Sequence, residues 1–400
     1  MAKTRGFWLA FGLLVIAASA ISNSTDFPVN WKGLPEPFHT PSANNRPQVT
    51  ARPADATLKV PTGFQIEEYM AGFDRPRFML AGPGNEILLS DSGSGQQATG
   101  AVYVLKDKTK KKIIENLDRP YGLALHENWL YVAEPTSVKR YQYDPKAMTV
   151  AGKGEEIIPL RGFDRGHWTR SLLFNKDHSK LFVTVGSGSN VDAGEDAMRA
   201  ALHRYNPDGT GHETWATGLR NIIGLRFYPG TENLWAAVQE RDGLGDDLVS
   251  DFFVKIDKGA FYGWPYAYTG PHEDPRRKGE APDKVKSTHY PDVLLGAHVA
   301  GLDILFYTGK QFPAQYQGGA FLALHGSWNR SERVGYKIAY IPFKDGRPTS
   351  GPQDFLTGWL LDPAKTEVWG RPVGLFQMPD GSLLVTDDGG QKIWRISHKG

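Results

Sequence analysis

From residue 63 onward, apolar and polar positions fall into a unit that the chain repeats six times. Each unit opens with a turn and a short apolar segment: Arg75-Pro76-Arg77-Phe78, Arg119-Pro120-Tyr121-Gly122, Thr169-Arg170-Ser171-Leu172, Arg220-Asn221-Ile222-Ile223, Gly301-Leu302-Asp303-Ile304 and Arg371-Pro372-Val373-Gly374. A stretch of period-two alternation follows at 86–90, 129–133, 180–185, 233–238, 320–324 and 382–386. After a polar loop comes a second such stretch, at 101–105, 138–143, 201–205, 252–256, 336–341 and 392–396. Period two places successive side chains on opposite faces, the mark of a β-strand. A further strand leads into the next opening at 112–116 and 212–216. The sixth unit lacks sequence for this strand, and 64–70, just ahead of the first opening, can supply it. A strand donated this way closes a ring and removes both sheet edges. Six units of about four strands each, at spacings near 45–80 residues, predict an all-β, six-bladed β-propeller over 63–400, closed by an N-terminal strand. A β-sandwich does not call for six such copies.

Composition agrees with a turn-rich β protein: 45 glycines, 27 prolines and 47 aromatic residues in 400. The 46 basic and 44 acidic residues nearly cancel, which counts against a nucleic-acid partner. Cysteine is absent, which excludes disulfides, thiolate metal sites, a cysteine nucleophile and covalently attached haem. Lys3 and Arg5 precede an apolar run at 7–17 and the small residues Ala18-Ser19-Ala20, so 1–20 reads as a secretory signal peptide, with an uncleaved N-terminal anchor as the alternative. No later stretch is long and apolar enough to span a bilayer. The expectation is a periplasmic or secreted protein. Residues 21–62 form a proline-rich extended segment, either a tether or a strap lying on the surface.

In such a ring the openings become the inner strands, and their starts gather with the polar loops at one mouth of the channel. Function is expected there, because loops on a rigid scaffold carry binding residues. Three features mark that mouth. Arg75, Arg77, Arg119, Arg170, Arg220 and Arg371 converge, and clustered guanidinium groups call for an anionic, carboxylate-rich ligand. The alternative is pairing inside each blade, as Asp74-Arg75 and Asp118-Arg119 allow. His167, in Gly166-His167-Trp168-Thr169-Arg170, lies beside an opening arginine and can take a proton near neutral pH. The loop Gln239-Glu240-Arg241-Asp242-Gly243-Leu244-Gly245-Asp246-Asp247 mixes carboxylates with glycines, which suits either Ca²⁺ or a solvated acidic turn.

Gly218-Leu219-Arg220-Asn221-Ile222-Ile223-Gly224-Leu225 and Tyr262-Gly263-Trp264-Pro265, linked by that acidic loop, resemble the soluble quinoprotein sugar dehydrogenases. With His325-Gly326-Ser327-Trp328-Asn329-Arg330, the chain is most similar to the sorbosone dehydrogenase-like branch, over roughly 60–398. The resemblance implies a propeller that holds pyrroloquinoline quinone (PQQ) and Ca²⁺ at the channel mouth. It makes His167 the general base for oxidation of a sugar, aldehyde or alcohol by hydride transfer to the quinone. Arg220, Asn221 and Arg371 would contact the cofactor, with Arg170 and Arg330 as further cationic candidates. The metal would lie near Glu240, Arg241, Asp242 and Asp246, and Trp168, Trp328 and Trp369 would line the substrate pocket or pack between blades. Electrons would leave to a separate acceptor, a cytochrome or the quinone pool. Glucose-oxidising members have Gln where this chain has Ile223, and a Lys in the fifth blade where Arg330 would stand in; both departures point away from glucose. Two other readings of the residues are a calcium-dependent lactonase and a non-catalytic binding propeller.

Overall fold

The computed structural model describes residues 33–94 and 98–399. The signal peptide read at 1–20 and the start of the proline-rich segment lie outside the described residues. Within them, the six repeats are six four-stranded antiparallel sheets arranged as a β-propeller. The inner strands are Pro76–Ala81, Leu123–His126, Leu172–Phe174, Asn221–Phe227, Gly301–Phe306 and Pro372–Gln377. Neighbouring inner strands touch one another around the central channel.

The openings have a structural logic of their own. Four inner strands carry a register slip near their start, between Pro76 and Met79, Ile222 and Leu225, Gly301 and Asp303, and Pro372 and Leu375. A bulge bends its strand and frees backbone groups that need other partners. Second-strand hydroxyls supply them: Thr386 Oγ1 accepts from the Gly374 amide (2.7 Å) and donates to the Arg77 carbonyl of the next blade (2.7 Å). Ser90 likewise donates to the Tyr121 carbonyl at 2.7 Å. The glycine in the opening is required because blade backbones meet there: a Cβ on Gly374 would lie 2.2 Å from the Arg77 carbonyl oxygen.

The second strands, Ile87–Asp91, Trp129–Glu134, Leu181–Val185, Leu234–Gln239, Ala320–Leu324 and Leu383–Asp387, are buried along almost their whole length. Their alternation therefore does not divide core from water. In Ala320–Leu324, Phe321 and Ala323 pack into the core shared with the sixth blade, while Ala320, Leu322 and Leu324 pack into the core shared with the fourth. Each blade is sandwiched between two others, and period two sorts its side chains between the two seams.

The ring closes as the repeat predicts. Phe64–Ala71 pairs antiparallel with Lys392–His398, with Ile66 opposite Ile396. Between Ser250–Lys255 and Val293–Ala297 the fourth blade carries an excursion containing a small hairpin, a 3₁₀ turn at Pro275–Arg277 and a short helix at Pro282–Lys286. Of the two forms allowed for the proline-rich segment, its described part takes the strap. Leu34 packs against the fourth-blade core, Gln48–Val49 pairs with Glu367–Val368, and Ala56 and Leu58 join the core between the fifth and sixth blades. No helix among the described residues is long and apolar enough to cross a membrane.

Candidate functional site

Starts of inner strands and loops after second strands share one face. Blades three, four and five enclose there a cavity of about 200 Å³, lined by His167, Arg220, Gln239, Glu240, Asp242, Asp251, His298, Ala300, Trp328 and Asn329. A cavity of about 310 Å³ opens at the other end of the channel, walled mainly by inner-strand leucines and phenylalanines. Its arginine, Arg226, is paired with Asp303, so the chemistry gathers at the first face.

His167 is fixed by its loop. Its amide donates to the Ser187 carbonyl (3.0 Å), and its Nδ1 lies 2.9 Å from the same oxygen. Ser187 Oγ, 3.0 Å from Nδ1, donates its own proton to the Ser189 carbonyl. Both oxygens around Nδ1 are thus acceptors, so Nδ1 carries the proton of the neutral ring and Nε2 keeps its lone pair. Burial, and then the Arg220 guanidinium, push the imidazole down to about 3. The close fit depends on Gly186, where a Cβ would lie 2.6 Å from both His167 Cβ and Asn221 Oδ1.

Arg220 reaches the Glu240 carbonyl (2.6 Å), Asn190 Oδ1 (3.0 Å) and Asp242 Oδ2 (3.1 Å). Burial pushes this guanidinium down, and the Asp242 and Glu240 carboxylates oppose that shift. Asn221 donates to Gln239 Oε1 (2.9 Å), and its own Oδ1 is buried without a partner. Asn190 is the hub that the sequence did not single out. It accepts from Arg220 and from the Asp242 amide, and donates to the Asp242 carbonyl at 2.8 Å. His298 and Asn329 were not singled out either; Asn329 bridges Asp242 Oδ1 and His298 Nδ1. Asn329 stands in the fifth-blade motif from His325 to Arg330, whereas His298 sits in a connection with no pattern.

Several expected site residues lie elsewhere. Arg170 is buried and donates to the carbonyls of Phe163, His167 and Thr169, so it braces the His167 loop instead of facing the cavity. Arg330 is held by the Asp246 carbonyl and the Asp247 carboxylate. Arg371 lies at the mouth, 3.4 Å from the carbonyls of His325 and Gly326, near a buried cluster in which Asp388 joins Arg77 (2.7 Å) and His325 (2.9 Å). Arg75 is exposed and Arg119 pairs with Asp118, so the six arginines do not form one cluster. Trp328 is 40% exposed at the cavity. Trp168 lies between Arg77 and Arg119 instead, each 5.6 Å from its ring. Trp369 is buried between Trp359 and Trp394, with its indole N–H on the Gly358 carbonyl (2.7 Å); it is blade packing.

The cavity mixes one cationic group with the Glu240, Asp242 and Asp251 side chains. It offers a fixed guanidinium, an exposed indole and, next to His167, the unpartnered Asn221 oxygen. Of the four residues expected around a cation, Glu240 and Asp242 line the cavity, with Glu240 Oε1 buried and unpartnered, while the other two lie away from it. Arg241 is fully buried and bonded to Glu240 and Asp274, and Asp246 turns toward Ser331. Among the described residues no group of three or more His, Cys, Asp or Glu side chains is placed to hold a metal ion.

A family model described as TrAA12-like matches residues 58–269 and 274–399. An uncharacterized protein of Borreliella burgdorferi is 30% identical over 366 residues, covering 88% of this chain and 93% of that one. A pyrroloquinoline quinone-dependent pyranose dehydrogenase of Coprinopsis cinerea is 23% identical over 407 residues, covering 85% of this chain; the chain spans about half (54%) of that protein's length. The calcium structure of a Trichoderma reesei carbohydrate-active enzyme of family AA12 superposes with a TM-score of 0.74 at 20% identity, over 89% of this chain and 99% of that one.

Proposed function

The chain belongs to the TrAA12-like family, and from that premise we propose that it is a PQQ-dependent oxidoreductase acting on a sugar or a related alcohol. The observation that carries this reading is a neutral imidazole, pinned at Nδ1, on the wall of a cavity that also presents a buried arginine. Arg220 would hold a carboxylate of the cofactor, and Asn221 Oδ1 would accept an N–H or hydroxyl proton. Arg371 would add a second cation at the rim. When bound, the quinone supplies the acceptor for a hydride, chemistry that no side chain here can perform. His167 Nε2 would take the hydroxyl proton as the substrate carbon becomes a carbonyl. Because its conjugate acid is strong, His167 would pass that proton on quickly instead of holding it. An anion in the cavity would offset Arg220 and raise the basicity of the ring.

The finer substrate reading, a keto-aldehyde sugar of the sorbosone type, rests on the acidic loop from Gln239 to Asp247 and the fifth-blade pattern from His325 to Arg330, and a separate electron acceptor on the absence of cysteine for a covalent haem. The similarity to the pyranose dehydrogenase of Coprinopsis cinerea supports a pyranose equally well.

The test is a titration of the purified chain with PQQ, in calcium and in chelator, followed by a panel of sugars and aldehydes. Binding with bleaching of the quinone absorbance is the expected result. His167→Asn should bind the cofactor and lose turnover by roughly 10²–10⁴-fold, the usual worth of a general base. Failure to bind PQQ under either condition would sink the proposal.

A further inference from the structure

We infer that this chain neutralises its acidic loop with its own guanidinium groups, and that the cavity takes its anionic occupant without a divalent cation. The identity of the occupant rests on the function proposed above; the statement about the cation does not.

Calcium takes about six to eight oxygens at roughly 2.3–2.6 Å. Most of the loop oxygens turned toward the cavity already accept hydrogen bonds from fixed N–H donors, Glu240 Oε1, buried without a partner, being the exception. The Asp242 carbonyl accepts from Asn190 Nδ2 (2.8 Å) and from Arg276 Nη1 (2.7 Å), one donor for each lone pair. Asp242 Oδ2 accepts from Arg220, and Oδ1 from Asn329. Glu240 Oε2 accepts from Arg241 Nε at 2.9 Å, and the Glu240 carbonyl from Arg220. A metal at this loop would have to displace these donors one by one.

Arg276 is the group that decides the matter. It comes from the excursion of the fourth blade, and it cannot readily swing away. Its Nε and Nη2 are held by Asp274 at 2.9 and 2.8 Å, and Asp274 is itself completely buried and bonded to Arg241. A divalent ion on the Asp242 carbonyl would sit within about 5 Å of this guanidinium, and the repulsion there is strong in a partly buried site. Arg276 and Arg220 thus hold the Asp242 and Glu240 oxygens that a calcium ion would otherwise take.

The test uses the full chain stripped of metal with a chelator. Calorimetry with CaCl₂ alone should show no stoichiometric binding at millimolar concentrations. Titration with PQQ in chelator and in calcium should give affinities within about twofold of one another. One tightly bound calcium per chain, or PQQ affinity at least tenfold higher with calcium, would overturn the inference. If PQQ binds under neither condition, the functional proposal fails, while the calcium titration still decides this one. Arg276→Gln opens one lone pair of the Asp242 carbonyl and removes the repelling charge. That variant should acquire a calcium response in thermal shift that the wild type lacks, and its silence would remove Arg276 from the argument.

Discussion

His167 illustrates how strongly one residue's neighbours set its chemistry. An ordinary imidazole titrates near 6.5, but this one is neutral down to about 3 because it is buried beside Arg220. A base that stays unprotonated gives turnover no inflection at the usual histidine value. Burial, the larger cause, persists when the cavity is filled, so rates at saturating substrate between pH 8 and 5 should be free of a limb centred near 6.5; a limb there would show that offsetting Arg220 is enough to restore an ordinary histidine. His325 provides a stability test of the same physics. Burial and Arg371 push it down to about 4, so it is neutral in the fold and protonates more readily when unfolded. Its stabilising contribution is complete above the unfolded value and is lost as pH falls from about 6.5 toward 4. The stability advantage of the wild type over His325→Gln should accordingly shrink between pH 7 and 4.5 in denaturant titrations. At this scale the sequence was least legible. Arg241 stands in what reads as an exposed acidic turn, yet it is completely buried because Asp274, thirty-three positions later, returns to meet it. Asn190 ends a polar loop expected at the mouth, but nothing in the sequence shows that the fold brings it against Arg220 and Asp242.

Elements were far easier to read, because the repeat restates its rules from blade to blade, most weakly in the fifth opening. Arginine, proline and glycine in the openings mark where a strand enters the channel, and the glycine reports the approach of the neighbouring blade. Gly374→Ala would force its Cβ onto the Arg77 carbonyl, and it should destabilise the protein by about 1–3 kcal/mol, the usual cost of overpacking. An unchanged unfolding midpoint would mean that the seam can spread. Within the second strands, Phe321→Ala should cost about 3–5 kcal/mol, since that ring is fully buried among Tyr316, Tyr340 and Phe355. A variant that loses less than 1 kcal/mol would show that the seam between blades five and six collapses around the gap. The fourth strand of blade four, Val293–Ala297, escaped the sequence reading because the excursion before it breaks the spacing.

For the molecule as a whole, the strap and the ring set the limits of movement. The strap crosses the same loops that build the cavity. The Asn45 amide donates to the Trp328 carbonyl (2.7 Å), its side chain holds Arg330, Ser331 and Arg333, and Thr40 Oγ1 accepts from the Asp246 amide (2.7 Å). None of this was legible beforehand, because each contact joins positions some two hundred or more apart. Asn45→Ala should leave the propeller folded and weaken binding in the cavity several-fold; an unaltered affinity alongside an unaltered melting curve would show that the strap is mere covering. The pairing of Phe64–Ala71 with Lys392–His398 sets a different limit, one of time. Of the propeller strands, Phe64–Ala71 leaves the ribosome first, and its partner is the last strand of the sixth blade. Until Lys392–His398 has emerged it presents an open edge to any extended chain nearby. Long-range pairing of this kind also folds slowly, so the interval between translation and closure is when this protein most needs a chaperone to keep it from its neighbours.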